Sequence, residues 1–143
     1  MSLYDNMLNI SNKDIETIIN NSIKKINKIS SDKEGICKVV SNMIYHTLLK
    51  EHVVCKIINT KELGLGYEHE FVLAKEINNV YLIDATYEQF INKGTILNKE
   101  LLNNGYIKVD NTILINYLNS IPNTYKIENI EISELFLSSS KRK

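Results

Sequence analysis

Glu70-Phe-Val-Leu-Ala74-Lys-Glu-Ile-Asn-Asn79-Val-Tyr-Leu-Ile83 is the stretch that decides the fold. Two runs rich in β-branched and aromatic residues, 70–74 and 80–83, flank a polar connection whose length and composition suit a hairpin, so the stretch predicts two antiparallel strands. Closure around Glu76 and Ile77 gives a pairing register with index sum 153, which sets position 69 opposite position 84 on one face of the sheet. Those positions are His69, where a loop containing Gly64 and Gly66 enters the first strand, and Asp84, which ends the second. An aspartate directly after an apolar strand closes a buried run with a charge that must find a partner. The imidazole is the obvious one.

Upstream of the hairpin the period changes from two to three and four. Ser11-Asn-Lys-Asp14 resembles a capping box, and Ile15, Ile18, Ile19, Ile23, Ile26 and Ile29 follow at helical spacing, predicting an amphipathic helix over residues 12–29 whose isoleucine stripe faces the core. A second helix is expected over 37–50, with Val40, Met43, Ile44, Thr47 and Leu48 inward, and a strand over 52–58. Downstream, the sequence suggests a short helix over 99–103, an extended segment over 106–109, and a helix over 111–118 capped by Asp110 and closed before Pro122. The expected class is α+β, with N-terminal helices packed on an antiparallel sheet. Residues 1–137 are read as one domain and 138–143 as a disordered tail.

Cys37 falls in the first turn of the second expected helix, where unpaired N–H groups and the helix dipole favour a thiolate. Gly35 leaves room for a substrate carbonyl, and the Cys37 N–H is one candidate donor to an oxyanion. Cys37 as nucleophile, His69 as its base and Asp84 as the group that orients the imidazole form the candidate catalytic set.

The segments Gly35-Ile-Cys37, Tyr67-Glu-His69-Glu-Phe-Val-Leu-Ala74 and Tyr81-Leu-Ile-Asp84-Ala-Thr-Tyr-Glu-Gln-Phe90 resemble the papain-like and transglutaminase-like Cys-His-Asp enzymes. Within them they are most similar to the bacterial toxin and effector glutamine deamidases of the Pasteurella mitogenic toxin catalytic-domain type. The resemblance covers about residues 35–90. It implies a papain-like/transglutaminase-like core and acyl transfer through a thioester, with glutamine deamidation of a protein substrate as the first expectation. Cysteine protease or transglutaminase activity is the alternative on the same fold, and a catalytically idle binding or adaptor module is the alternative outside enzymology. No glutamine precedes Cys37 where papain-like enzymes carry an oxyanion-hole side chain.

Other features have plainer readings. Cys55, between Val54 and Lys56, is a small buried hydrophobe, His46 is a surface or packing residue within a helix, and His52 is a turn residue. Gly64-Leu-Gly66 lacks the rest of a phosphate loop, and Lys141-Arg-Lys143 is a solvated basic end. Thr86, Tyr87, Gln89 and Phe90 either line the cleft or close the core.

Seventeen basic residues balance seventeen acidic ones, so no net field draws the chain to nucleic acid or an anionic membrane. Two cysteines without a Cys-x-x-Cys pair, and three histidines, predict neither a disulfide scaffold nor a metal site, and no cofactor is expected. No apolar run is long enough to span a bilayer, and Met1-Ser-Leu-Tyr-Asp-Asn lacks the pattern of a secretory signal. The expected location is the cytoplasm, or outside the cell by a route that uses no Sec signal.

Overall fold

A computed structural model describes residues 14–29, 36–93 and 95–137. The Ser11 end of the capping box, Gly35 and the tail 138–143 lie outside the described residues.

Helix α1 (Ile15–Ile29) begins at Asp14, whose carboxylate accepts the Glu16 N–H at 3.1 Å and the Thr17 hydroxyl at 3.4 Å. Its start is therefore later than the pattern alone placed it. Ile15, Ile18, Ile19, Ile23 and Ile26 are buried along one side, and helix α2 (Cys37–Lys50) buries Val40, Ile44 and Leu48 at one-turn intervals. Both helices cover the same face of a sheet, packing against Val72, Ala74, Tyr81 and Ile83.

That sheet has four antiparallel strands in the order β1 (Val54–Asn59), β2 (Glu70–Lys75), β3 (Val80–Ile83) and β4 (Tyr106–Val109). β1 starts later than expected because His52 adopts a left-handed φ of 61° in the turn that follows α2, where the Val53 N–H bonds back to the Leu48 carbonyl at 3.0 Å. His52 and His46 are both exposed, and Cys55 is half-buried on the α1/α2 side.

The alternate positions Phe71, Leu73, Leu82, Ile107 and Val109 face the other way. They form a second core with Leu101 of α3 (Lys99–Asn104), with Leu114, Tyr117 and Leu118 of α4 (Asn111–Ser120), and with Ile132 and Leu135 of α5 (Ile132–Leu137). Asn98 and Asp110 cap α3 and α4, accepting the N–H groups of Leu101 and Ile113 at 2.9 and 2.8 Å. Both faces of β2 and β3 are thus covered, which is why these strands read as nearly continuous apolar runs.

The hairpin register differs from the expected one. Lys75 pairs with Val80, Ala74 with Tyr81 and Val72 with Ile83, an index sum of 155 instead of 153. The turn tip is Ile77-Asn78, not Glu76-Ile77. It is set by the Glu76 N–H on the Asn79 carbonyl at 3.0 Å and the Asn79 side-chain amide on the Glu76 carboxylate at 2.7 Å. A shift by two leaves every side chain on its own face. His69 and Asp84 become diagonal neighbours instead of direct ones, still within reach of each other.

Candidate functional site

His69 immediately precedes β2, and its position is fixed by Thr60 at the far end of β1. The buried Thr60 hydroxyl accepts the His69 N–H at 2.9 Å and donates to the Tyr67 carbonyl, while the Thr60 N–H donates to the His69 carbonyl at 2.9 Å. Gly64 and Gly66 have φ of 83° and 89°, allowing the intervening loop to turn back on itself so that both of its ends meet at Thr60. The backbone carrying the imidazole is therefore held from both sides.

Asp84 follows β3, and its backbone N–H donates to the Gly105 carbonyl at 2.9 Å. The carboxylate is buried, and both of its oxygens are used. Oδ1 accepts the N–H and the hydroxyl of Thr86, each at 3.1 Å. Oδ2 lies 2.7 Å from His69 Nε2 and accepts the Tyr117 hydroxyl at 2.6 Å. Burial alone would raise the carboxyl pKa, but the imidazole, the phenol and Thr86 together hold it below the usual aspartate range. An ionised carboxylate only accepts hydrogen bonds, so Nε2 carries a proton and Nδ1 is the nitrogen left for chemistry.

The imidazole is itself buried, 1% exposed, and stands edge-on to Phe90 with ring centroids 4.9 Å apart. Desolvation pulls its pKa down, but the Asp84 charge and hydrogen bond outweigh it and the Cys37 thiol beside the ring adds to them, raising the value to about 9. Cys37 is the first residue of α2. That helix packs on the Val72, Ala74, Tyr81 and Ile83 face of the sheet, and the thiol of its first residue interacts with the imidazole. Ile36 at the N-cap has no side chain that can accept a hydrogen bond, and among the described residues no side chain caps this turn.

Cys37 opens on a cavity of about 450 Å³. Tyr67 and Phe90 form ring walls, Gln89 and Asn123 contribute carboxamides, and Pro122 belongs to the segment after α4. Lys38 and Glu68 sit at the rim as an ion pair with a nitrogen-to-oxygen distance of 3.1 Å, joining the residue after Cys37 to the residue before His69. Lys38, followed by Asn59, holds the Glu68 carboxyl below its usual pKa. Cys55 lies elsewhere, directed at the Tyr45 carbonyl, and burial pushes its thiol up to about 12.

Cys37, His69 and Asp84 are thus gathered at one end of the sheet. No family model matches the chain, and no curated protein or solved structure matches it either. Thr86, Tyr87, Gln89 and Phe90 divide their tasks: Thr86 holds Asp84, Tyr87 is buried in the core with its hydroxyl on Ser120 at 2.7 Å, Gln89 lines the cavity, and Phe90 both lines the cavity and closes the core. Sequence reasoning missed Thr60 and Tyr117. Thr60 carried a weak signal as the residue ending a strand before a glycine loop. Tyr117, 33 positions beyond Asp84, carried none.

Proposed function

We propose that this protein is a cysteine-dependent acyl-transfer enzyme acting on amide bonds of a protein substrate, with glutamine deamidation as its reaction and a papain-like/transglutaminase-like arrangement of helix and sheet as its core. The observation that carries this reading is the chain of contacts from Cys37 through His69 to the buried, fully hydrogen-bonded Asp84, opening on a cavity with carboxamide side chains in its wall.

The chemistry runs in two halves. His69 takes the Cys37 proton at Nδ1, and the sulfur attacks the amide carbonyl carbon, moving the C=O electron pair onto oxygen. The N–H groups of the uncapped α2 turn stabilise that oxyanion. Gln89, which lines the cavity, is the second donor: its Nε2 gives one hydrogen to Thr86 Oγ1 at 3.1 Å and carries a second for the oxyanion. Collapse of the intermediate breaks the C–N bond, and the imidazolium protonates the departing amine. In the second half His69 deprotonates water, which cleaves the thioester and returns the thiol. For a glutamine side chain the products are ammonia and a glutamate.

Two measurements test this. Iodoacetamide should alkylate Cys37 near pH 6 much faster than an ordinary thiol, and His69→Ala should lose at least tenfold in that rate, in keeping with the usual worth of a positioned base. Incubation with candidate protein substrates should leave the mass signature of amide-to-acid conversion at one glutamine. Equal labelling of wild type and His69→Ala would return the chain to the idle-module reading, and peptide fragments in place of the deamidated substrate would make it a protease.

A further inference from the structure

Resting on the reading just given, we infer that Tyr117 is a positioning residue of the triad, holding Asp84 as an anion aimed at His69 through its phenolic hydroxyl. Tyr117 and His69 meet at the same oxygen, Asp84 Oδ2, at 2.6 and 2.7 Å. All three side chains are buried, so water does not compete at that oxygen. The phenol must be the donor, because the carboxylate has no proton to give. Its own pKa is raised well above the ordinary value, by burial and then by the Asp84 charge, which keeps the proton on Tyr117.

The hydroxyl is aimed by its surroundings. The Tyr117 ring stands edge-on to Phe71 at a centroid distance of 4.9 Å and lies 5.4 Å from Tyr87. The backbone beside it is tied by Ser120, whose hydroxyl donates to the Tyr117 carbonyl at 2.6 Å and meets the Tyr87 hydroxyl at 2.7 Å. The Tyr87 hydroxyl in turn accepts the Asn98 N–H at 3.1 Å, at the cap of α3. The phenol therefore has one direction open to it, and that direction is Asp84. With Thr86 on the opposite oxygen, the carboxylate is fixed in rotation about its own axis, and the imidazole inherits that orientation.

A merely structural tyrosine would contribute packing alone, and the two roles separate in a pH profile. Tyr117→Phe keeps the ring and deletes the donor. In the variant Asp84 should take up a proton more readily and release the imidazolium, so the acid limb of Cys37 alkylation should move up by about one pH unit, with the rate at the plateau falling about tenfold. The limb reports the coupled His69 and Asp84 pair, so its displacement, not its absolute midpoint, is the readout. Ile132→Ala, which thins the same core from α5, should lower the melting temperature without moving the limb. Superposed limbs for wild type and a folded Tyr117→Phe would overturn the positioning role while His69→Ala still loses its rate. Failure of His69→Ala to lose rate would instead sink the triad beneath it. Should Tyr117→Phe not fold, 3-fluorotyrosine incorporated at 117 decides the matter: its more acidic phenol donates more strongly, and the limb should move down. No movement would overturn the proposal.

Discussion

Burial of the His69 imidazole opposes its charge, yet Asp84 and the neighbouring thiol leave its pKa raised from 6.5 to about 9. A histidine whose folded pKa exceeds its unfolded one contributes stability that is complete below pH 6.5 and is lost as the pH rises through about 9. Asp84 behaves inversely. Its pKa is lowered from 3.8, so its contribution is complete above 3.8 and fades as the pH falls through the folded value. The pair therefore contributes most between these limits, and urea unfolding should show stability declining from pH 6.5 toward 9. Asp84→Asn removes the charge that sustains the imidazolium. It should cost about 3 kcal/mol near pH 6, as loss of one member of a buried pair does, and it should abolish the alkaline decline. A variant whose stability falls in parallel with wild type above pH 6.5 would mean that the decline arises elsewhere. Asp84 and His69 were legible in the sequence because an acid at the end of an apolar strand and a histidine at a loop-strand junction break the local pattern. Tyr117 was not, since an aromatic residue in an amphipathic helix fits the pattern and its hydroxyl shows nothing until the helix is docked.

Among the elements, the two hairpin strands and the two N-terminal helices could be read from periodicity, but the register could not. Five polar-rich residues from Lys75 to Asn79 permit closure at neighbouring positions, and the choice falls to the Glu76 and Asn79 contacts, worth little each and invisible to hydrophobic pattern. The candidate site survives the difference because strand faces repeat every two residues. The junction of α3 and β4 is less forgiving. Gly105 ends α3 with φ 81°, its carbonyl receives the Asp84 N–H, and a Cβ there would approach the Ile23 Cδ1 of α1 to 2.9 Å. Gly105→Ala is expected to destabilise the protein by about 2 kcal/mol through the left-handed backbone and the crowded isoleucine. Because the strained carbonyl is the one that positions Asp84, alkylation of Cys37 should slow severalfold as well. Thermal melts paired with labelling rates test both halves; lost stability with an unchanged rate would detach Gly105 from the site.

For the molecule as a whole, the sheet separates two cores and the candidate site draws from both. Cys37 rides on α2, whose Val40, Ile44 and Leu48 belong to one layer, whereas Tyr117 extends from α4 in the other, and His69 and Asp84 lie at the ends of the strands between them. The sulfur and the imidazole are brought together only when both layers are seated on β2 and β3. No helix among the described residues is long and apolar enough to cross a membrane. Most domains of this size unfold in one step. Rapid Cys37 labelling should accordingly disappear at the same urea concentration as the far-ultraviolet circular dichroism signal. Ile44→Ala and Leu114→Ala remove fully buried side chains from opposite layers, and each should cost about 3 kcal/mol and shift both readouts by an equal amount. If Leu114→Ala shifted the helical signal while labelling retained its wild-type midpoint, the layer carrying Tyr117 would be dispensable for assembling the site. If labelling were lost well before the dichroism in the wild type, α2 would be undocking from the sheet as a separate unit, with the site formed only while it is docked.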